Sequence, residues 1–396
     1  MSAKTLFAKT ATCAIYGNRS LSGTFNMTSR RSAFSTFSVR HNQILIRKFS
    51  MAATAEPGQD LKTQGREAQK NILSFASKDG TYRRIPSAFR SRIQKDGEFP
   101  PESGRYILYV SLACPWAHRT LIARQMKGLD KHIELSTVHP YMGALGWSFF
   151  PPIRSEDGGY PPTSGEVGYS DGIPGVIPDP IYGFKFLREL YFKSEPDYEG
   201  RFTVPVLWDK KTGKIVNNES SEILRMFSED FNSILTAEEA AIDLYPAKLR
   251  EEIDDFHSWV YPTINNGVYR CGFASKQEAY DEAITPLFDS LERVEKILEG
   301  KEFVIGGVLT EADVRLFTTI IRFDPVYVTH FKCNLKTIRD GFPNINRWMK
   351  NLYHNYSYFK DTTNFDHIKR HYFTSHPQVN PTRIIPKGFV PDIQPL

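Results

Sequence analysis

The sequence predicts an α/β domain followed by an all-helical domain, and three observations carry that expectation. Strand-like and helix-like segments alternate between residues 105 and 229. Strand signals nearly vanish after residue 240. A cysteine followed by proline, Cys114-Pro115, falls where the first strand gives way to the first helix.

Regular structure begins at Arg105-Tyr106-Ile107-Leu108-Tyr109-Val110, an aromatic and β-branched run that reads as a strand. A helix is predicted from Pro115 to about Lys127, closed by Gly128. Residues 133–138 alternate apolar with polar and predict a second strand. A Gly/Pro-rich stretch over 148–180 is too full of breakers for regular structure, and a loop of that length in a compact domain is often functional. Phe184–Lys193 predicts a short helix. Residues 204–209 and 214–216 predict a hairpin around Lys211-Thr212-Gly213, and Ser220 to Glu229 a further helix. The order β-α-β-loop-α-β-β-α is that of a thioredoxin-like domain. Beyond it, residues 246–262, 276–300, 311–322 and 343–353 show helical spacing of apolar residues. Thr310 and Asp313 predict a capping box, which is a folding signal. The predicted division is 1–50 leader, 51–100 extension, 101–235 thioredoxin-like domain, 240–375 helical domain and 376–396 tail.

Charge is unevenly spread. No Asp or Glu precedes Glu56, whereas Lys4, Lys9, Arg19, Arg30, Arg31, Arg40, Arg47 and Lys48 all do. Removing those eight charges from the formal +5 leaves −3, so nucleic-acid binding loses its main support. The acid-free, Ser- and Arg-rich leader has the composition of a mitochondrial transit peptide, with Arg47-Lys48-Phe49-Ser50 resembling a processing site. Translation from Met51 would instead leave a cytoplasmic form. Apolar runs stay well short of the roughly 18 residues of a membrane span. Four scattered cysteines do not make a disulfide scaffold, and no Cys/His cluster has metal-ligand spacing. No Gly-rich phosphate loop follows a strand, so no nucleotide is expected.

Chemistry concentrates at Ser111-Leu112-Ala113-Cys114-Pro115-Trp116-Ala117. A helix N-terminus offers unpaired N–H groups and partial positive charge, which favour a thiolate on Cys114. A dithiol oxidoreductase would carry its second cysteine at position 117, which is alanine. A mixed disulfide on Cys114 must therefore be resolved by an external thiol, and glutathione is the abundant candidate. In thioredoxin-like folds a cis proline at the place of Thr203-Val204-Pro205-Val206 exposes the preceding residue's backbone to pair with the cysteinyl part of glutathione; Val-Pro in a strand is also the mark of a sheet edge. At the next helix start, Glu219 can receive the γ-glutamyl ammonium, and the Ser220 hydroxyl with helix N–H groups its carboxylate.

Cys114-Pro115-Trp116-Ala117, Leu145-Gly146-Trp147, residues 201–209 from Arg201 to Asp209 and Asn218-Glu219-Ser220 resemble the glutathionyl-hydroquinone reductases, the xi class of glutathione transferases. Gly267-Val268-Tyr269-Arg270, residues 322–327 and His371-Tyr372 extend the resemblance across roughly residues 60–380. It implies the glutathione-transferase fold, a homodimer, and glutathione with a glutathionyl-hydroquinone as substrates. It further implies attack by Cys114 on the glutathione sulfur, proton donation by Tyr269, and stabilisation of the thiolate by Tyr327 and Tyr372. Trp147, Arg201, Phe202, Thr203, Val204, Glu219 and Ser220 match the glutathione contacts. The 148–180 loop is longer than the family usually shows, so no contact is carried over to it. An omega-like thioltransferase or dehydroascorbate reductase shares the cysteine but not the tyrosines. A non-catalytic glutathione-linked redox sensor, or a chloride-channel relative, is the alternative from another class. His118, Arg119, Arg124 and Lys127 after the cysteine argue against a membrane-entering helix.

Overall fold

The computed structural model describes residues 77, 79–84, 86–150, 173–388 and 393. The leader of residues 1–50 and most of the Gly/Pro-rich loop lie outside them, and so does the first half of the predicted extension.

Strands β1 (Tyr106–Val110), β2 (Glu134–Thr137), β5 (Val206–Asp209) and β6 (Lys214–Asn217) form one sheet in the order β2-β1-β5-β6. A two-residue hairpin, β3 (Met142–Gly143) with β4 (Gly146–Trp147), stands apart. β1 pairs in parallel with β2 and antiparallel with β5, and β5 antiparallel with β6. All five residues of β1 are fully buried, which explains its unbroken apolar sequence: both of its faces are covered.

Helix α1 (Pro115–Met126) follows β1, with proline in its first turn where a missing N–H costs nothing. Gly128 ends it at φ +63°, where a Cβ would collide with the Glu239 carboxylate. Only Gln125 of α1 escapes burial, because the helix packs against residues 220–230 of its own half and against the helical half, including residues 311–322. Polar residues in and beside it are therefore internal. Arg124 donates to the Ile133 carbonyl at 2.9 and 2.6 Å, and Lys127 to the carbonyl of Ile242 at 2.6 Å and to Asn232 at 2.9 Å.

Helix α2 (Arg188–Ser194) begins four residues later than predicted. The Glu189 carboxylate accepts from the N–H groups of Lys185 and Phe186 at 2.9 and 2.8 Å, which satisfies donors just ahead of the first turn. Helix α3 (Ser220–Arg225) is also shorter than predicted, widening into a π-turn over Met226–Asp230. The helical half contains α4 (Arg250–Val260), α5 (Gly267–Gly272), α6 (Gln277–Ile297), α7 (Glu311–Arg322), α8 (Pro343–Asn355) and α9 (Phe365–Ser375). Two further π-turns, Tyr261–Asn265 and Phe323–Tyr327, continue α4 and α7; each contains a proline, which removes one N–H from the regular ladder. The capping box of Thr310 and Asp313 is present, and Asp313 also accepts from Trp348 Nε1 at 3.0 Å.

Residues 86–100 lie along the outer edge of the sheet. Ser91 N donates to Val216 O at 3.1 Å, Asn218 N to Phe89 O at 3.1 Å, and Ile93 and Phe99 are buried beneath. An exposed sheet edge is thereby covered.

The two halves are joined by buried charge. Arg225 on α3 meets Glu311, the first residue of α7, at 2.8 Å; Arg315 and His257 approach the same carboxylate at 3.2 and 3.4 Å. Burial would push Glu311 up, but the close approach of His257, hydrogen bonds from Arg225 and the charge of Arg315 hold it down to about 2. Burial pushes His257 down to about 4, so at neutral pH it is uncharged and the guanidinium groups carry the balance. Both shifts favour the folded state at neutral pH and lose their effect on acidification. His257's contribution fades from its ordinary 6.5 through about 4, and Glu311's from 4.5 through about 2. Thermal denaturation followed by circular dichroism is expected to show a lower Tm at pH 4 than at pH 7. Glu311→Gln is expected to lose about 3 kcal/mol at neutral pH, the order found when a buried ion pair loses one member.

Candidate active site

Cys114 sits between β1 and α1, and its loop is held from the other half of the molecule. Arg322, fully buried at the end of α7, donates to Ala113 O at 2.9 Å and Leu112 O at 3.2 Å. The same guanidinium reaches His118 Nδ1 at 2.9 Å, while His118 Nε2 lies 2.9 Å from Thr362 Oγ1. The Thr362 hydroxyl already donates to Tyr358 O at 2.6 Å, so His118 donates to it through Nε2 and accepts from Arg322 through Nδ1. Burial, and then the Arg322 charge, keep that imidazole neutral.

The Cys114 sulfur faces a cavity of about 370 Å³. Its side chain lies 3.7 Å from the Val204 carbonyl, and the Val204–Pro205 peptide is cis, as the motif implies. Burial pushes the thiol up, and this outweighs the N–H groups of Ala117 and Trp116 and the charges of Arg84 and Arg322. The low thiol pKa expected from the helix N-terminus is thus corrected. The donors are present, but desolvation outweighs them.

Of the residues singled out in the sequence, Cys114, Trp147, Arg201, Phe202, Thr203, Val204, Tyr269 and Tyr372 share the wall of this cavity. Tyr327, Glu219 and Ser220 do not. Tyr269 comes from α5, Tyr372 from α9 and Tyr327 from the π-turn after α7. Their hydroxyls converge: Tyr372 lies 2.6 Å from Tyr269 and 3.1 Å from Tyr327. Tyr327 is fully buried behind the other two, and burial pushes it up to about 12. Burial likewise lifts Tyr269 and Tyr372 well above the ordinary phenol value, with Tyr327 adding to it at Tyr269 and Tyr269 adding to it at Tyr372. All three are protonated at neutral pH. The thiolate-stabilising bonds implied for Tyr327 and Tyr372 are not formed here; the hydroxyls engage one another, whereas the sulfur faces Val204.

Glu219 caps α3, accepting from Ser221 N at 3.2 Å and from the Ser87 hydroxyl at 3.0 Å. Burial would raise it, yet the Arg84 charge, the Ser221 N–H and the Ser87 hydroxyl hold it below the ordinary carboxylate value. The Ser220 hydroxyl donates to Glu219 at 3.4 Å. Tyr191 steadies the cradle by donating to Thr203 O at 2.7 Å and accepting from Asn218 Nδ2 at 3.1 Å.

The cavity also contains residues that the sequence reading gave no role. Tyr82, Arg84 and Ser87 reach it from the segment ahead of β1, and His371 and His376 from the end of the helical half. His371 stacks on Trp147 with ring centroids 4.6 Å apart and donates from Nδ1 to Pro140 O at 2.9 Å. Only the His371-Tyr372 dipeptide gave a signal for any of these, and it was read for its tyrosine. Among the described residues no group of three or more His, Cys, Asp or Glu side chains is arranged to hold a metal ion. None of their helices is long and apolar enough to cross a membrane.

A thioredoxin-like half with a single cysteine at a helix N-terminus, joined to a helical half that closes the cavity, defines a glutathione transferase. The sequence agrees, matching the family Glutathione S-transferase, N-terminal domain, over residues 113–230 and Glutathione S-transferase, C-terminal domain, over 277–351. It is 48% identical to Glutathione S-transferase omega-like 2 of Schizosaccharomyces pombe, over 82% of this chain and 98% of that protein. It is 46% identical to Glutathionyl-hydroquinone reductase YqjG of Escherichia coli, over 79% of this chain and 90% of that protein. The crystal structure of the Xi glutathione transferase ECM4 from Saccharomyces cerevisiae in complex with glutathione superposes with a TM-score of 0.72. That comparison has 46% identity and covers 79% of this chain and all of the other. The chain belongs to the Xi-class glutathione transferase and glutathionyl-hydroquinone reductase family.

Proposed function

We propose that the protein reduces glutathionyl-hydroquinones to hydroquinones at the expense of glutathione. The Cys114 thiolate attacks the glutathione sulfur bonded to the ring. An S–S bond forms, the C–S bond breaks, and its electron pair passes to the ring carbon, which takes a proton from Tyr269. The thiolate of a second glutathione attacks the mixed disulfide, expels Cys114 as thiolate and leaves as glutathione disulfide. One conjugate and one glutathione thus give one hydroquinone and one disulfide.

The observation that carries this reading is the tyrosine cluster beside the cysteine. Exchange between sulfur atoms needs no acid directed at carbon, whereas breaking a carbon–sulfur bond does. Tyr269 is protonated and on the cavity wall, and the Tyr372 hydroxyl at 2.6 Å can support the phenolate left after donation. Chromatography of hydroquinone and glutathione disulfide, with a glutathionyl-hydroquinone as substrate beside dehydroascorbate, tests it. The expected result is equimolar release of the two products. Reduction of dehydroascorbate alone would replace the proposal with the omega-like reading.

A further inference from the structure

Glutathione carries its ammonium and one carboxylate on the same carbon, at the end of the γ-glutamyl arm. Recognition of that carbon needs an acid and a cation side by side. Glu219 is the acid, and Arg84 is the cation beside it. Its charge is the foremost influence opposing burial at Glu219, and Arg84 in turn feels Tyr82, Tyr261, Glu219 and Cys114. Arg84 shares the cavity wall with Cys114.

Its geometry suits a planar two-oxygen ligand. The guanidinium carbon lies 3.9 Å over the Trp116 ring, so stacking uses one face of the group and leaves its N–H edges available. Among the described residues Arg84 makes no ion pair and donates no hydrogen bond. A half-buried cation of that kind is a ready partner for a carboxylate. Ser220, the residue expected to take this carboxylate, is not on the cavity wall, and its hydroxyl lies 3.4 Å from Glu219. The segment that delivers Arg84 also delivers Ser87, whose hydroxyl binds Glu219, and it is anchored by pairing of Arg90 with Glu222.

We propose that Arg84 is a glutathione-binding residue that takes the α-carboxylate of the γ-glutamyl arm while Glu219 takes the ammonium on the same carbon. The assignment rests on glutathione as ligand and not on the hydroquinone. The segment ahead of β1 is then part of the glutathione site as well as a cover for the sheet edge.

Isothermal titration with S-methylglutathione, which cannot exchange at sulfur, tests the assignment. Its analogue with hydrogen in place of the α-carboxylate is titrated alongside. Arg84→Gln is expected to weaken S-methylglutathione by about 10- to 100-fold, the size of a charge-assisted hydrogen bond, and Arg84→Lys by less. The decarboxylated analogue is expected to bind wild type and Arg84→Gln equally. Equal weakening of both ligands by Arg84→Gln, or weakening of neither, would overturn the assignment. So would unchanged affinity with an altered pH profile of Cys114 alkylation, which would give Arg84 to the sulfur. Failure of the wild type to bind S-methylglutathione would sink glutathione use itself, whereas missing hydroquinone turnover with these affinities intact would sink only the proposed reaction.

Discussion

Cys114→Ser is expected to lower turnover of a glutathionyl-hydroquinone by about 10³-fold or more, because no other side chain in the cavity can form the covalent intermediate. Cys271 and Cys333 are also buried, but neither lies on the cavity wall. Intact-mass measurement on wild type incubated with the conjugate, without free glutathione, should show a glutathione adduct at Cys114. The serine variant should show none. Because burial pushes the thiol up, alkylation of Cys114 in the ligand-free protein should accelerate with pH beyond the range where an ordinary cysteine levels off. A competent serine variant would remove the cysteine from the mechanism.

Tyr269→Phe is expected to slow carbon–sulfur cleavage by roughly 10²-fold or more, the usual contribution of a positioned general acid. Thiol–disulfide exchange, which moves no proton to carbon, should be nearly unchanged in the same variant. That contrast separates a chemical role from damage to the cavity. The substitution removes one hydroxyl from the pair with Tyr372, and a melting curve should register only about 1 kcal/mol for it. Equal loss in both assays would point to distortion of the Trp116 and Tyr82 contacts, whose rings each lie 6.1 Å from that of Tyr269. An unchanged hydroquinone rate would pass the acid role to Tyr372, whose hydroxyl lies 2.6 Å from that of Tyr269 on the same wall.

The placement of Cys114 was legible because its signal is local: strand, cysteine, proline and helix are consecutive, and position 117 is alanine. The capping box of α7 was legible for the same reason. Helix α9, which brings Tyr372 and His371 to the cavity, gave no periodic signal. Its buried face includes His367, His371, Thr374 and Ser375, so polar side chains break the apolar spacing that periodicity relies on. The β3–β4 hairpin was missed because two residues per strand are too few to show alternation.

The sequence by itself determined the chemistry on offer: one thiol, a Val-Pro cradle, a Glu-Ser helix start, and tyrosines in recognisable contexts. Only the tertiary structure decided how these are used. It clamped the cysteine loop with Arg322 from 209 positions away, set Arg84 over Trp116, and joined the three phenols through Tyr372. It also took Ser220 and Tyr327 off the wall. Capping and helix-start signals act between residues a few positions apart. Desolvation, cation stacking and convergent hydroxyls depend on which distant segments the core brings within a few ångströms, and no spacing along the chain records that.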